Sequence, residues 1–399
     1  MRIEKRNRLL SLLAGCALLF AGCTKEGDAP IPTVSRTLMV YMAGDNNLAA
    51  NGAANLESIT AAMAGYAASD ARVVVYFDVP GENPRLIEVA SDGQRELYAW
   101  PSPQDSASGA TLAEVIGLVR RLAPAEKYGL VLWSHGVGWL PASAQGYLTR
   151  SMVRKADPWP ATKWFGQDVT AQPTGYIDTE ELAAAIPAEM FDYILFDACH
   201  MASVEVLYAL RDKADYIISS PTEVVAEGFP YGAVTRSLLR ETPDLQAVCK
   251  SFYNYYAGHP SAVYRSAAVS LVKCAELDAL ADATATLCGA AQAADPTVLS
   301  AMDITRLQHF DRYRRHFLFD LGSIADELAR QGKVPAAALA AWRSQLARTV
   351  VWEAHTAAFF DLPIEKCCGL SGYVPVAEYA DLNSYYITLE WSRHMGFGQ

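Results

Sequence analysis

The chain has 399 residues, of which 51% are hydrophobic and 19% are charged, and its formal net charge is −11. This length and composition allow a substantial buried core in two or three domains, which excludes a disordered or repetitive protein. Nucleic acid is excluded as a partner, because phosphate binding needs a concentrated basic face and the sequence contains none.

The amino terminus has the pattern of an export signal. Basic residues precede an apolar stretch at residues 9–20, which is too short to span a bilayer, and small residues then lead to Cys23. The run at residues 19–23 resembles a bacterial lipobox, which implies cleavage before Cys23 and a lipid on its sulfur. A second match ends at Cys16, but cleavage there would leave an apolar run on the mature chain. An ordinary signal peptide and an uncleaved anchor are the alternatives.

The remaining cysteines are scattered and do not define a disulfide framework. They are Cys199, Cys249, Cys274, Cys288, Cys367 and Cys368. Neither CxxC nor HExxH spacing occurs, so the sequence predicts neither a structural zinc site nor a metalloprotease. The residues therefore indicate no cofactor, and the adjacent cysteine pair is expected to serve packing.

Strands and helices alternate in the first third of the chain. The predicted order is a strand at 37–42, a helix at 48–63, a strand at 72–79, a hairpin of strands at 86–90 and 95–100, a helix at 112–122 and a strand at 127–133. This order is typical of a mainly parallel sheet with helices on both faces. Asp45 lies in the turn after the first strand, where it either caps the next helix or borders a site.

A long polar insertion at 140–172 follows, which is expected to be a solvated loop or a lid. The later predicted elements are a short helix opening at Thr179, a strand at 193–196, a helix at 204–210, a strand at 215–220, helices at 245–256, 275–294, 318–330 and 337–349, and a strand at 267–272. The loop at 221–231 carries two carboxylates, Glu223 and Glu227. They either attract a basic substrate group or face water.

Two reactive side chains follow strands of the buried type. Cys199 comes between an apolar strand and a helix, and His135, followed by Gly136, comes after the strand at 127–133. In open α/β sheets, ligands bind at the carboxyl ends of the strands, and unpaired helix N–H groups favour a thiolate. A lone cysteine or histidine in such a position is more often structural. The two together predict a thiol nucleophile with an imidazole base.

The sequence around both residues resembles a known family. The segments LVLWSHGVGW, which contains His135, and ILFDACHMASVEV, which contains Cys199, resemble the histidine and cysteine motifs of the clostripain family of cysteine peptidases, relatives of caspases and gingipains. Further segments that resemble this family lie at 38–48, 319–321 and 369–375. The resemblance covers most of the chain beyond residue 36.

For the fold, the resemblance implies a caspase-like α/β architecture, in which a mainly parallel sheet has helices on both faces. The expected division is a lipoprotein signal peptide at 1–22, a lipidated cysteine and tether at 23–36, a catalytic domain at 37–235 and a helix-rich region at 236–399 that completes the fold. This division places Cys199 and His135 in one domain.

For the site, the resemblance implies peptide-bond hydrolysis with Cys199 as the nucleophile and His135 as its base. The backbone N–H groups of Cys199 and Gly136 would bind the oxyanion. Asp197 matches a family position that selects Arg or Lys before the scissile bond, so it either binds substrate or holds the cysteine loop by hydrogen bonds. The expected substrate-binding residues are Asp197, Glu223 and Asp45.

The expected partners are a peptide or protein substrate and, through the lipid on Cys23, a membrane of the bacterial cell envelope, at the outer membrane or cell surface. Some relatives require calcium, but the sequence shows no clear calcium site. Relatives often cut themselves between the histidine and cysteine motifs, so Arg150, Arg154 and Lys155 are candidate processing sites. Two other classes stay open: a non-catalytic binding lipoprotein on a peptidase-like fold, and a thiol hydrolase or transferase of non-peptide acyl groups.

Overall fold

A computed structural model of the chain describes residues 31–66, 70–141, 176–313 and 315–397. From Thr33 to Gln399 the chain forms one compact unit. The expected signal peptide, the lipidation site Cys23 and nearly all of the insertion at 140–172 lie outside the described residues. Within the described ranges, no helix is both long and apolar enough to cross a membrane.

The apolar runs of the sequence build the centre of a nine-stranded sheet, counted over the described residues. All strands of the described residues are β1 Val34–Ala43, β2 Ala71–Asp78, β3 Arg85–Ala90, β4 Gly93–Ala99, β5 Ala125–Trp133, β6 Phe191–Asp197, β7 Ala214–Ser219, β8 Ala268–Lys273, β9 Phe319–Asp320, β10 Val350–His355, β11 Ala358–Phe359, β12 Leu362–Pro363 and β13 Ser371–Gly372. Strands β9 and β13 pair with each other, as do β11 and β12, outside the nine-stranded sheet. The sheet runs in the order β10, β8, β7, β6, β5, β1, β2, β3, β4. Its five central strands, from β7 to β2, are parallel, and the strands at both edges are antiparallel.

Burial on both faces explains why the central strands read as continuous apolar runs. Successive side chains of β6 point to opposite sides of the sheet. Ile194 and Phe196 enter one hydrophobic core, whereas Tyr193 and Leu195 enter the other. Both faces of this run are therefore buried against apolar side chains.

Helices cover both faces of the sheet. Their bounds are α1 Ala49–Met63, α2 Gly109–Leu122, α3 Thr179–Ala185, α4 Val204–Ala209, α5 Tyr231–Leu238, α6 Leu245–Ala257, α7 Leu277–Ala294, α8 Leu321–Arg330, α9 Ala336–Thr349, α10 Ala380–Tyr386 and α11 Glu390–His394. Apolar residues of α1, α5 and α6 fill one core, and those of α2, α4 and α7 fill the other. The expected α/β class, a mainly parallel sheet between two helical layers, is confirmed.

Several elements differ from the prediction, most of them in the second half of the chain. The sequence pattern does not predict α5 or β10, and α8 begins at Leu321 instead of residue 318. The helix starts late because Phe319 and Asp320 pair with β13. The Asp320 carboxylate then accepts the N–H of Ser323 at 2.7 Å, which caps α8.

Candidate active site

Strand register brings the two predicted motifs to one edge of the sheet. β5 and β6 are parallel neighbours in which Trp133 stands opposite Asp197. His135 and Cys199 each lie two residues further along the chain, beyond the carboxyl ends of these strands, where α/β sheets bind ligands. Both side chains are buried, with 2% and 1% of the residue surface exposed.

The loops that carry them touch through backbone atoms at Gly136. A Cβ atom at this position would lie 2.8 Å from the backbone nitrogen of Cys199, 3.0 Å from its carbonyl carbon and closer still to its carbonyl oxygen. Only a residue without a side chain allows two backbones to approach so closely. Gly136 therefore holds the histidine loop directly against the cysteine loop.

The Cys199 sulfur is bound by the loop at 221–231. The backbone N–H of Val224 donates to Sγ at 3.0 Å, and the Val224 carbonyl oxygen lies 3.7 Å from the same sulfur. The N–H of His200 donates to the Thr222 carbonyl at 2.8 Å, which ties this loop to the chain just after the cysteine. An N–H group that donates to the sulfur favours its thiolate form.

His200 has a left-handed backbone, with φ at 62°. A residue with a side chain adopts this conformation at a cost of about 1–3 kcal/mol, which surrounding contacts must offset. The imidazole is fully buried, and its Nδ1 donates to the Pro221 carbonyl at 3.1 Å. His200 therefore directs the backbone that leaves Cys199, a role that the sequence does not predict.

The imidazole of His135 is oriented by Asn47, in the turn between β1 and α1. Its Nε2 lies 2.7 Å from the Asn47 amide oxygen. An amide oxygen only accepts hydrogen bonds, so Nε2 carries the proton and the lone pair of the neutral ring lies on Nδ1. Asp45, predicted to bind substrate, is buried in the same turn. The neighbouring Asn46 accepts the Leu48 N–H at 2.9 Å and organises the start of α1.

Asp197 is completely buried beneath the cysteine loop. Its Oδ2 accepts the N–H of Phe229 at 3.2 Å and the hydroxyl of Tyr231 at 2.9 Å. Both donors belong to the chain that follows β7. This carboxylate thus fastens the 221–231 loop to the end of β6. The predicted roles of Asp197, binding of substrate or holding of the cysteine loop, stay predictions.

Glu223 is also buried and forms an ion pair with Arg312, whose Nη1 lies 3.4 Å from its Oε2. Arg312 also bonds to Asp361, with Nε 3.1 Å from Oδ1. Burial, together with the negative charges of Glu223, Asp311 and a Cys199 thiolate, raises the pKa of the adjacent Tyr313 well above its ordinary value. Residues 311–313 thus bring a cation and a neutral phenol towards the cysteine.

Glu227, the other carboxylate of this loop, has a different environment. Its Oε2 is buried, and within the described chain it accepts no hydrogen bond. Its backbone carbonyl accepts the Asn55 side-chain N–H at 3.0 Å, which fixes the position of this residue against α1. A buried carboxylate oxygen without a donor is costly, so a cationic ligand would be well placed to satisfy it.

Two groups of side chains in the described ranges have the types and spacing of metal ligands. One is His309, Asp311 and His316, and the other is Glu353, His355 and Cys367. Neither includes His135 or Cys199.

Several residues at the site have no signal in the sequence. Val224 acts through its backbone, and Arg312 reaches Glu223 across 89 positions of the chain. Asn47 lies in a predicted turn whose Asp and Asn residues suggest only helix capping. The sequence indicates a role for Asn47 in the site only through its position after a strand, which it shares with His135.

A buried thiol and an imidazole that follow neighbouring parallel strands define an α/β cysteine hydrolase. Comparison with known proteins agrees and is more specific. The sequence model described as the clostripain family, Peptidase C11, matches residues 40–355, and the chain belongs to this family of cysteine peptidases. It is therefore a hydrolase of the cysteine peptidase type.

Solved structures support this assignment. An inactive zymogen C11 protease from Parabacteroides distasonis is 31% identical, with a TM-score of 0.76, and the match covers 92% of this chain and 99% of that one. A secreted C11 cysteine protease from Bacteroides thetaiotaomicron, in complex with an irreversible peptide inhibitor, is 26% identical, with a TM-score of 0.71 and coverage of 90% and 98%. A search of curated proteins finds no match.

Proposed function

We propose that the chain is an endopeptidase that works through Cys199 and His135. The Cys199 sulfur attacks the carbonyl carbon of the scissile bond, and the oxyanion accepts the backbone N–H groups of Cys199 and Gly136. The Nδ1 lone pair of His135 takes the proton of the Cys199 thiol as the sulfur attacks, and His135 then gives this proton to the leaving amine. Water hydrolyses the acyl-enzyme, which releases the acid product and restores the thiol. The observation that carries the proposal is the contact of Gly136 with the Cys199 backbone.

The other buried cysteines support the choice of nucleophile. Burial raises the pKa of Cys274, which also lies near Asp215, and that of Cys288 to about 12, so both thiols stay protonated at neutral pH. Burial raises the pKa of Cys249 further. Cys199 instead accepts an N–H at the edge of the sheet where a substrate would bind.

Fluorogenic peptides test this mechanism. We expect Cys199→Ala and His135→Ala to abolish cleavage, whereas Cys249→Ser, which alters a thiol in α6, keeps it. If the full chain is inactive, trimming of the 140–172 insertion precedes the assay. Equal cleavage by wild type and Cys199→Ala would refute the proposed nucleophile. Hydrolysis of an acyl thioester in a Cys199-dependent way, without cleavage of any peptide, would favour the non-peptide alternative.

We propose further that the peptidase prefers Arg or Lys before the scissile bond. Of the acidic residues near the site, Asp197 holds the 221–231 loop and Glu223 is paired with Arg312. Glu227, in contrast, has a buried oxygen that receives no hydrogen bond from the described residues. Glu227 is therefore the residue best prepared to bind a basic side chain. This extends the earlier expectation, which named Asp197, Glu223 and Asp45 as the substrate-binding residues.

The specificity proposal is tested by Glu227→Gln beside the matched variant Glu223→Gln. Loss of a charged hydrogen-bond partner is worth about 1.5–3 kcal/mol. We therefore expect Glu227→Gln to lower kcat/KM for an arginyl substrate by about 10- to 100-fold and to leave a norleucyl substrate nearly unchanged. An equal loss on both substrates, or no preference for basic residues in the wild type, would contradict the proposal.

We propose that the mature protein is anchored in the bacterial envelope by a lipid on Cys23. The signal-like pattern of residues 1–23 supports this, and one similar structure is that of a secreted protease. The mass of the N-terminal peptide and release of Cys23→Ala from membranes test the anchor. The proposed chemistry uses no cofactor, so activity should survive EGTA. Its loss, with recovery on added calcium, would show the requirement known in some relatives.

A further inference from the structure

A second cluster of reactive side chains lies at the far edge of the sheet, away from the strands that carry His135 and Cys199. Glu353 and His355 are two positions apart on the edge strand β10, so both side chains point to the same face. Cys367, from the loop before β13, joins them. One ligand atom of each residue lies within 4.8 Å of the others, and all three residues are partly exposed.

We propose that Glu353, His355 and Cys367 form a zinc site, with the fourth position taken by water. A thiolate, an imidazole nitrogen and a carboxylate oxygen are the ligand types that zinc prefers. The site has no signature in the sequence, because two ligands come from a strand and the third from a loop twelve residues later. The expectation of no structural zinc rested on local motifs such as CxxC, which this arrangement does not need.

The charges around the cluster favour a cation. Glu353 contacts His355, with Oε2 3.2 Å from Nδ1. Asp320, at the start of α8, accepts the backbone N–H of Cys368 at 2.7 Å, which places a second carboxylate beside the residue that follows Cys367. A divalent cation bound by the three ligands would offset these negative charges.

A bound zinc ion would also stabilise the segment that supports the cysteine loop. Beyond Cys367, Gly369 packs against β10 with φ at 86°, and a Cβ there would lie 2.9 Å from Val350 Cγ1. The N–H of Ser371 then donates to the Ala202 carbonyl at 2.9 Å. Because Ala202 follows Cys199 by three residues, the metal would join β10 to the support of the nucleophile.

The adjacent Cys368 provides a matched control. Its sulfur accepts the Gly322 N–H at 3.3 Å and lies 3.3 Å from the Leu370 carbonyl oxygen, so it is engaged with backbone and is not a proposed ligand. Zinc binding displaces the Cys367 thiol proton to solvent, because the thiolate is the form that binds the metal.

Cobalt(II) and zinc titrations of the reduced full chain test the site, in a Cys199→Ala background that removes the proposed nucleophile as a competing ligand. We expect one cobalt ion with a sulfur-to-metal charge-transfer band, which zinc displaces. Cys367→Ser should abolish the band and His355→Gln should weaken zinc binding by at least about tenfold. Cys368→Ser, and His316→Gln in the other cluster, should keep both, and zinc should raise Tm only in proteins that retain Cys367.

Three results would overturn the proposal. They are the absence of a thiolate band in the parent protein, a band that persists in Cys367→Ser, and zinc binding that His316→Gln removes while Cys367→Ser does not. Circular dichroism shows whether each variant is folded before titration. Because the readouts are metal binding and thermal stability, they do not depend on peptidase activity.

Discussion

Replacement of Gly136 by Ala tests the contact between the two loops most directly. The added Cβ would lie 2.8 Å from the Cys199 nitrogen and nearer to its carbonyl oxygen, whereas ordinary contact begins at 3.4 Å. The nitrogen contact alone requires a shift of more than half an ångström, and the oxygen contact requires more. A displacement of about 1 Å between reacting groups lowers the rate by about 100-fold.

We therefore expect Gly136→Ala to reduce kcat/KM by about 100-fold, mainly through kcat, and to destabilise the fold by about 1–3 kcal/mol through overpacking. Kinetics with a fluorogenic peptide and urea denaturation measure the two effects. Gly289→Ala is the control, because a Cβ at that position in α7 has no atom of the described residues within 4 Å. It should stabilise the helix by about 1 kcal/mol without changing kcat/KM.

The two variants separate geometry from stability. A folded Gly136→Ala protein with kcat/KM close to that of wild type would show that the loops tolerate separation, and the proposed oxyanion site would be refuted. Loss of activity in proportion to loss of folded protein would also refute the reasoning, since the effect would then be one of stability alone.

Three further predictions concern Asn47, the buried Glu205 in the first turn of α4, and His200. Asn47→Asp places a carboxylate beside the Nε2 of His135, which should stabilise the imidazolium. The basic limb of the pH profile of kcat/KM should therefore move to higher pH. Burial raises the pKa of Glu205, so its contribution to stability is present below the unfolded pKa and is lost as pH rises through the folded one. Glu205→Gln should make the free energy of unfolding, measured by urea denaturation, depend less on pH above about pH 4.3, the ordinary pKa of glutamate. At His200, where φ is 62°, Asn should preserve stability in the same assay, whereas Val should lower it by about 1–3 kcal/mol.

The central sheet is predictable because burial leaves a direct trace in the sequence. Strands β1, β2, β5, β6 and β7 are apolar runs, and their alternation with helices implies parallel pairing. Once that pairing is assumed, Cys199 and His135 must lie at the same edge, because the carboxyl ends of parallel strands coincide. The strand order and the neighbouring positions of β5 and β6 come from the structure.

Other features leave no such trace. Arg36 lies inside β1 with no exposed surface, since its guanidinium donates to Asp192 and to the carbonyls of Arg240 and Glu241. In the sequence this residue falls at the end of the predicted tether at 23–36, and its partners lie 156, 204 and 205 positions further along the chain, so no local pattern predicts its burial. Strand β10 is not predicted for a different reason. It follows α9 directly, and no glycine, proline or other turn residue marks the boundary between them.

The site likewise has one part that the sequence predicts and one part that it does not. The residue types at positions 135 and 199 indicate the chemistry, but the groups that prepare them act through backbone or come from distant loops. The Val224 N–H and the Gly136 backbone contact Cys199 through main-chain atoms, which no side-chain pattern in the sequence reveals. The two carboxylates of the 221–231 loop look alike in the sequence but have different environments. Glu223 is paired with Arg312, whereas a buried oxygen of Glu227 receives no hydrogen bond from the described residues. The proposed mechanism therefore depends on backbone geometry and the proposed selectivity on single charges, so the two properties should respond to different substitutions.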